Sequence, residues 1–353
     1  MGRVIRSVFG FGLAFVLGMA ALEVFVRTSG TSTPSITKND ADFGQAMKPG
    51  MQAVFINEGF KLGRVNRYGY LGHAYPPKKP EGTVRIALMG DSYVAGHHLF
   101  DRHHFGTLLE HDLNQVLPYP VQVLNFGFPA VNFEQMYIYF QVFAKRFSPD
   151  YVLYFIGPGS LNMPADEVGP RLKIEGDSLS IDYGFRASPA FARSRKMSPI
   201  RELALYPMAR KAMEMNARGL TMNVVFDKFY RLFASVPRVD AGEEPVERPK
   251  RQPINRAIVD ALASGNRAGG PTSIIVARDS LPETFIDYVK ADGVGIFNPA
   301  PSLDSLRAQG IDPNYWAGSH RRGHWNQYAH RVIADFLTAE MLPLLRQRTP
   351  LDR

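Results

Sequence analysis

The 353-residue chain is 45% hydrophobic, 12% aromatic and 21% charged, apolar enough to pack a core, which excludes disorder, coiled coil and collagen for its bulk. Lys and Arg (41) exceed Asp and Glu (33), giving a formal net charge of +8 that suits lipid headgroups, acidic polysaccharide or nucleic acid without choosing among them. The absence of cysteine removes disulfides, thiol nucleophiles and thiolate metal sites together.

At the N-terminus, Arg3 and Arg6 precede an uncharged run from Val8 to Leu22; Glu23 then interrupts it before Val24, Phe25 and Val26. As a helix the run to Leu22 spans about 22 Å and the run to Val26 about 28 Å, close to the ~30 Å hydrocarbon core of a bilayer. The predicted element is a single-pass anchor over residues 1–27, with Glu23 near enough to its end for the carboxylate to reach the headgroups. Basic residues before the run imply that the body lies outside the cytoplasmic membrane. Small Gly18, Ala20 and Ala21 leave a cleaved signal peptide as the competing reading, and either one exports the body. Residues 28–48 are small and polar and read as a spacer.

The body is expected over residues 49–350. Asn66, Gly69 and Gly72 punctuate a short hairpin within residues 50–83. A regular alternation follows: strand Val84–Met89, helix Phe105–Leu117, strand Val121–Asn125, helix Asn132–Phe147, then strand Tyr151–Ile156 after the turn Ser148-Pro149-Asp150. The pattern breaks at about 163–250, where charged, Met-rich helices near 199–217 and 222–234 precede an acidic, proline-bearing loop, read as a helical insertion. It resumes with helix 254–264, strand Thr272–Ala277, helix 282–291, a strand at Val294–Phe297 and a closing helix Gln327–Leu345. Strands alternating with helices specify an α/β fold, a doubly wound parallel sheet of about five strands in a three-layer, flavodoxin-like sandwich.

In such a sheet ligands collect at the carboxyl ends of the strands. The first predicted strand ends in Gly90-Asp91-Ser92, which places a serine at a helix head. That serine is either a nucleophile or an N-cap. The second ends at Gly127 and the third in Gly157-Pro158-Gly159-Ser160-Leu161-Asn162. Together these strand ends can supply N–H donors from Ser92 and Gly127 and a side-chain donor from the third loop, the parts of an oxyanion hole. His324, in Gly323-His324-Trp325-Asn326 before the last helix, falls on the same edge as Ser92 and is the candidate base. His97, His98, His103 and His104 read as a solvated loop without metal-ligand spacing.

These blocks resemble the SGNH (GDSL-type) hydrolase superfamily: Gly90-Asp91-Ser92 after strand one, the glycine block at Gly127, and His324-Trp325-Asn326 leading into the final helix. Asn66-Arg67-Tyr68-Gly69-Tyr70-Leu71-Gly72 and Ser148-Pro149-Asp150 also resemble a membrane-anchored bacterial branch of it. The resemblance covers residues 60–160 and 255–345. It implies Ser92 as nucleophile, His324 as general base, Ser92 and Gly127 as backbone oxyanion donors, and Asp91 as a turn-ordering residue. The family's third block ends in Asn-Asp, so the expected side-chain donor here is Asn162, with Ser160 as the alternative. Arg321 stands where the family carries Asp three residues before the histidine, leaving Asp312, Asp304 or a backbone carbonyl to orient the ring, or a dead site.

The implied function is an exported, membrane-tethered ester hydrolase, or an O-acyl esterase or acyltransferase, acting on acyl esters or O-acylated envelope or extracellular polysaccharide. It needs no cofactor and no metal. The other class of function is a catalytically inactive SGNH-fold protein that binds glycan or scaffolds a polysaccharide assembly complex. Nucleic-acid binding is set aside, because no basic stripe is interleaved with aromatics.

Overall fold

The apolar runs pair as parallel strands, and their register decides what meets at the carboxyl edge. In a computed structural model the described residues are 2–29, 32, 35–55, 58–164, 167–176, 178–217 and 252–347. Strands β1 (Val84–Gly90), β2 (Val121–Gly127), β3 (Tyr151–Ile156), β4 (Thr272–Ala277) and β5 (Gly295–Phe297) form one sheet in the order β5-β4-β3-β1-β2. Every pairing in it is parallel. The order reverses between β1 and β3, which opens a crevice beyond their carboxyl ends. Gly90 pairs with Gly127 and Ala277 with Ile156, so these strands end level with one another.

Because side chains alternate across a strand, the sheet feeds two cores. Met89, Phe126, Tyr154 and Ile275 face one, with helices over Phe133–Val142, Gln252–Arg267 and Glu283–Ala291. Leu88, Val123, Phe155 and Val276 face the other, with helices over Phe105–Val116, Ala300–Ala308 and Gln327–Gln347. Three layers result. The first of these helices starts on a capping box, Asn132 with Gln135, the sequence device that satisfies orphan N–H groups at a helix start.

Three elements differ from the sequence reading. The expected spacer folds from Thr37 onward as a hairpin, Thr37–Asp40 against Gly44–Met47, since Phe43 and Met47 join the first core. The short hairpin lies upstream of its expected glycines, Gln52–Phe55 against Lys61–Arg64; Asn66 to Tyr70 is instead a tight turn closed by Asn66 N–H to Tyr70 O and Gly69 N–H to Asn66 O. The insertion begins with a hairpin, Arg171–Glu175 against Ser178–Asp182, before its helices Pro189–Lys196, Ser198–Arg201 and Leu205–Ala217. The expected helix 222–234 and the acidic loop lie outside the described residues.

The chain divides into two compact units, residues 36–194 with 248–353 and residues 1–35 with 195–247. In the smaller unit α1 (Gly2–Ser29) is long and apolar enough, by length and composition, to cross a membrane; a signal sequence meets the same description. Its Glu23 carboxylate accepts from Arg27 and from the Ala204 and Leu205 N–H groups, capping the helix that starts at Leu205 rather than pointing away from protein.

Candidate active site

β1 ends on Gly90, and the chain turns directly into α2 (Ser92–Ala95). Asp91 shapes that turn: its Oδ1 accepts from Tyr93 N–H at 2.9 Å and its Oδ2 holds Arg278 Nη1 at 2.6 Å. Arg278 comes from the end of β4 and lies over the Tyr93 ring, 4.1 Å from its centroid. The carboxyl ends of β1 and β4 are thus tied together beneath Ser92. As the first residue of its helix, Ser92 has an N–H outside the helical ladder.

Ser92 Oγ lies 2.7 Å from His324 Nε2, across 232 positions of sequence. Both flanks of His324 are fixed. Asn326 caps the helix Gln327–Gln347, accepting from Tyr328 and Ala329 N–H, while its amide donates to Asp312 O and Tyr315 O. The Trp316 indole N–H donates to the His324 carbonyl at 2.9 Å. The imidazole packs against Tyr93, 4.7 Å between ring centroids, and stacks on His98 at 4.3 Å with 27° between planes.

The far nitrogen of the ring has a carboxylate on it. Glu58 places Oε2 3.0 Å and Oε1 3.1 Å from His324 Nδ1, and Oε2 also accepts the His324 main-chain N–H at 2.6 Å. Sequence reasoning missed Glu58, which sits 266 positions from His324, in the loop of the Gln52–Phe55/Lys61–Arg64 hairpin. Gly323 makes room for it: a Cβ there would lie 2.3 Å from the Glu58 carboxyl carbon. The acid expected in this role, Asp312, instead pairs with Arg322 at 2.7 Å and accepts from Asn314 N–H. Asp304 pairs with Arg307 on its own helix, and Arg321 is exposed.

The expected oxyanion donors are placed differently. The Gly127 N–H donates to Asn125 Oδ1 at 2.9 Å, and the residue is a glycine because α2 crosses it: a Cβ would stand 2.2 Å from Ala95 N. Asn162 is exposed and turns its amide back to Pro158 O at 3.2 Å; Ser160 is buried against Gly157 N–H. Of the proposed donors, Ser92 N–H alone lies outside these local bonds.

The histidine-rich segment is not a solvated loop. His97, His98 and His104 are buried, whereas His103 is exposed. His97 stacks on Phe55, with centroids 4.3 Å apart. His104 accepts Gly106 N–H at Nδ1 and donates from Nε2 to Val94 O, a neutral tautomer that ties this segment to α2. Burial pushes the His98 and His104 imidazoles down to about 4 and His97 to about 3, with neighbouring positive groups adding to the effect. Next to these side chains lies a cavity of about 620 Å³ that Glu58, His98, Phe60, Phe100 and Trp316 help to line.

No known family model matches the sequence, and no curated protein does. Solved structures similar to the chain include the psychrotrophic esterase EstA from Pseudoalteromonas sp., at 12% identity, covering 74% of this chain and 98% of that one with a TM-score of 0.38. They also include the lipase/acylhydrolase from Enterococcus faecalis, at 13% identity, covering 74% and 96% with a TM-score of 0.35. A variant of Axe2, an acetyl xylan esterase from Geobacillus stearothermophilus, is similar at 10% identity, covering 74% and 96% with a TM-score of 0.38.

Proposed function

We propose that the protein is a serine ester hydrolase of the SGNH type in which Ser92, His324 and Glu58 act as nucleophile, general base and orienting acid. The observation that carries this reading is the relay itself, hydroxyl to imidazole at 2.7 Å and imidazole to carboxylate at 3.0 Å, at the switch point of a parallel sheet. Ser92 Oγ attacks the ester carbonyl and passes its proton to His324 Nε2. Glu58 accepts from Nδ1–H, which selects the tautomer with a lone pair at Nε2 and stabilises the imidazolium as it forms. The Ser92 N–H faces the developing oxyanion; the Gly127 N–H joins it only by releasing Asn125. His324 then returns the proton to the leaving alcohol, and water or an acceptor hydroxyl resolves the acyl-enzyme by the same route.

Either resolution is consistent with this site, so hydrolysis and transfer of an acyl group to a sugar hydroxyl share its first half. The apolar run of α1 that follows Arg6, together with the +8 charge, supports a body tethered to the inner membrane and facing away from the cytoplasm, where O-acylated polysaccharide is the substrate class we assign. The test is turnover of p-nitrophenyl acetate by the full chain in detergent: Ser92→Ala is expected to lower kcat by about 10³-fold or more. Absence of turnover in the unaltered protein would favour the inactive, glycan-binding class instead.

A further inference from the structure

His98 has no part in the proton relay, yet it too lies against Glu58. Glu58 Oε2 lies 3.0 Å from His324 Nδ1 and 3.9 Å from His98 Nε2. One ligand atom from each of the three residues lies within 4.8 Å of the other two. The His98 and His324 rings are stacked, and each has a nitrogen within 4 Å of the same carboxylate oxygen. Among the described residues no hydrogen bond engages His98, and its Nδ1 is buried without a partner; contact with aromatic rings, Trp316 included, holds it.

Two imidazoles and a carboxylate suit a borderline divalent ion, and the nitrogen ligands argue against Mg²⁺ and Ca²⁺. Tetrahedral zinc with bonds of 2.0–2.2 Å wants ligand atoms about 3.3 Å apart, and the observed separations close to that with side-chain shifts of about 1 Å or less. The adjoining cavity of about 620 Å³ gives solvent access to a fourth position.

We infer that Glu58, His98 and His324 form a zinc site whose occupation switches the esterase off. The switching half rests on the catalytic reading above. Zinc bound at Nδ1 takes the position of the proton that Nδ1 gives to Glu58, and that proton moves to Nε2. The ring remains neutral overall, but Nε2–H then donates to Ser92 Oγ and has no lone pair to receive the serine proton. Attack on the ester stops while the fold is untouched.

The experiment uses the full chain in detergent, stripped with a chelator, and zinc chloride as the probe. Calorimetry on Ser92→Ala reads the site without any catalysis: one zinc per chain is expected, bound at least tenfold more weakly when His98→Phe is added, a change that keeps a stacking ring but removes the ligand. Zinc-edge X-ray absorption on the unaltered chain is expected to show two imidazole nitrogens at about 2.0–2.1 Å. In the active enzyme, zinc should lower turnover at least tenfold, EDTA should restore it, and Mg²⁺ should do nothing. Absence of one-to-one binding, a spectrum without two imidazoles, or turnover raised by zinc would overturn the inference. Zinc binding by a chain with no basal turnover would overturn the catalytic reading and leave the metal site standing.

Discussion

In the proposed mechanism Glu58 is the residue on which the site turns. A serine–imidazole pair at 2.7 Å is of little use with the wrong tautomer, and only an acceptor on Nδ1 guarantees that Nε2 is the basic nitrogen. Glu58 supplies that acceptor and also fixes the ring's backbone through the His324 N–H. Replacing it by Gln keeps the shape but allows the amide N–H to face Nδ1 and stabilise the unproductive tautomer. We expect Glu58→Gln to lower kcat by about 10²–10⁴-fold with KM little changed, read from steady-state ester hydrolysis. Asp312→Asn, which only loosens the contact to Arg322, should leave kcat within about threefold. Ser92 and His324 were legible in the sequence because each sits beside a signal that periodicity exposes: the end of an apolar strand and the start of a helix. Glu58 was not. An acid inside a hairpin loop carries no local mark of its partner, and the nearest signal is indirect, a glycine at 323 whose missing side chain the carboxylate fills.

At the scale of elements, the segment from Gly96 to Phe105 links α2 to the following helix through buried imidazoles. A run of histidines among polar residues reads as solvated loop, but stacking against Phe55 and Phe105 and an edge contact with Trp316 put the rings inside. Such rings must stay neutral, and the consequence has a definite sign. The folded-state value of His104 is near 4, below its unfolded 6.5, so above about pH 6.5 both states are neutral and stability is full. As the pH falls from 6.5 toward 4 the unfolded chain takes a proton that the folded one refuses, and stability is lost, on the order of 3 kcal/mol for this one group. His97 and His330, lowered by the same burial, act in the same direction. The apparent Tm, followed by circular dichroism, should therefore drop by several degrees between pH 7 and pH 4.5; a flat profile would contradict neutral burial of these rings. The strands themselves were legible almost to the residue, because a sheet covered on both faces must be built from continuous apolar runs. The hairpins were less so, since their short strands of four or five residues show too few alternations to separate them from loop.

At the scale of the whole molecule, the residues of the relay, Glu58, Ser92 and His324, all fall in the unit formed by 36–194 and 248–353, while α1 falls in the other. If α1 serves only to tether, a chain lacking residues 1–29 should leave the membrane fraction and keep kcat within a fewfold of the full chain. Retention in the membrane fraction would assign attachment to another part of the molecule. At the N-terminus hydropathy alone marks the helix; across 163–250 the sequence is less plain, because the hairpin Arg171–Glu175/Ser178–Asp182 packs beside the α/β core with no strand–helix alternation to announce it.

The most direct test is covalent labelling by a fluorophosphonate, which reacts only with an activated serine. Labelling of the full chain, followed by intact mass and peptide mapping, should place one adduct on Ser92. It should be absent in Ser92→Ala and slowed at least 10²-fold in His324→Ala. An unlabelled Ser92 in the folded chain, or labelling at an unchanged rate without His324, would contradict the relay.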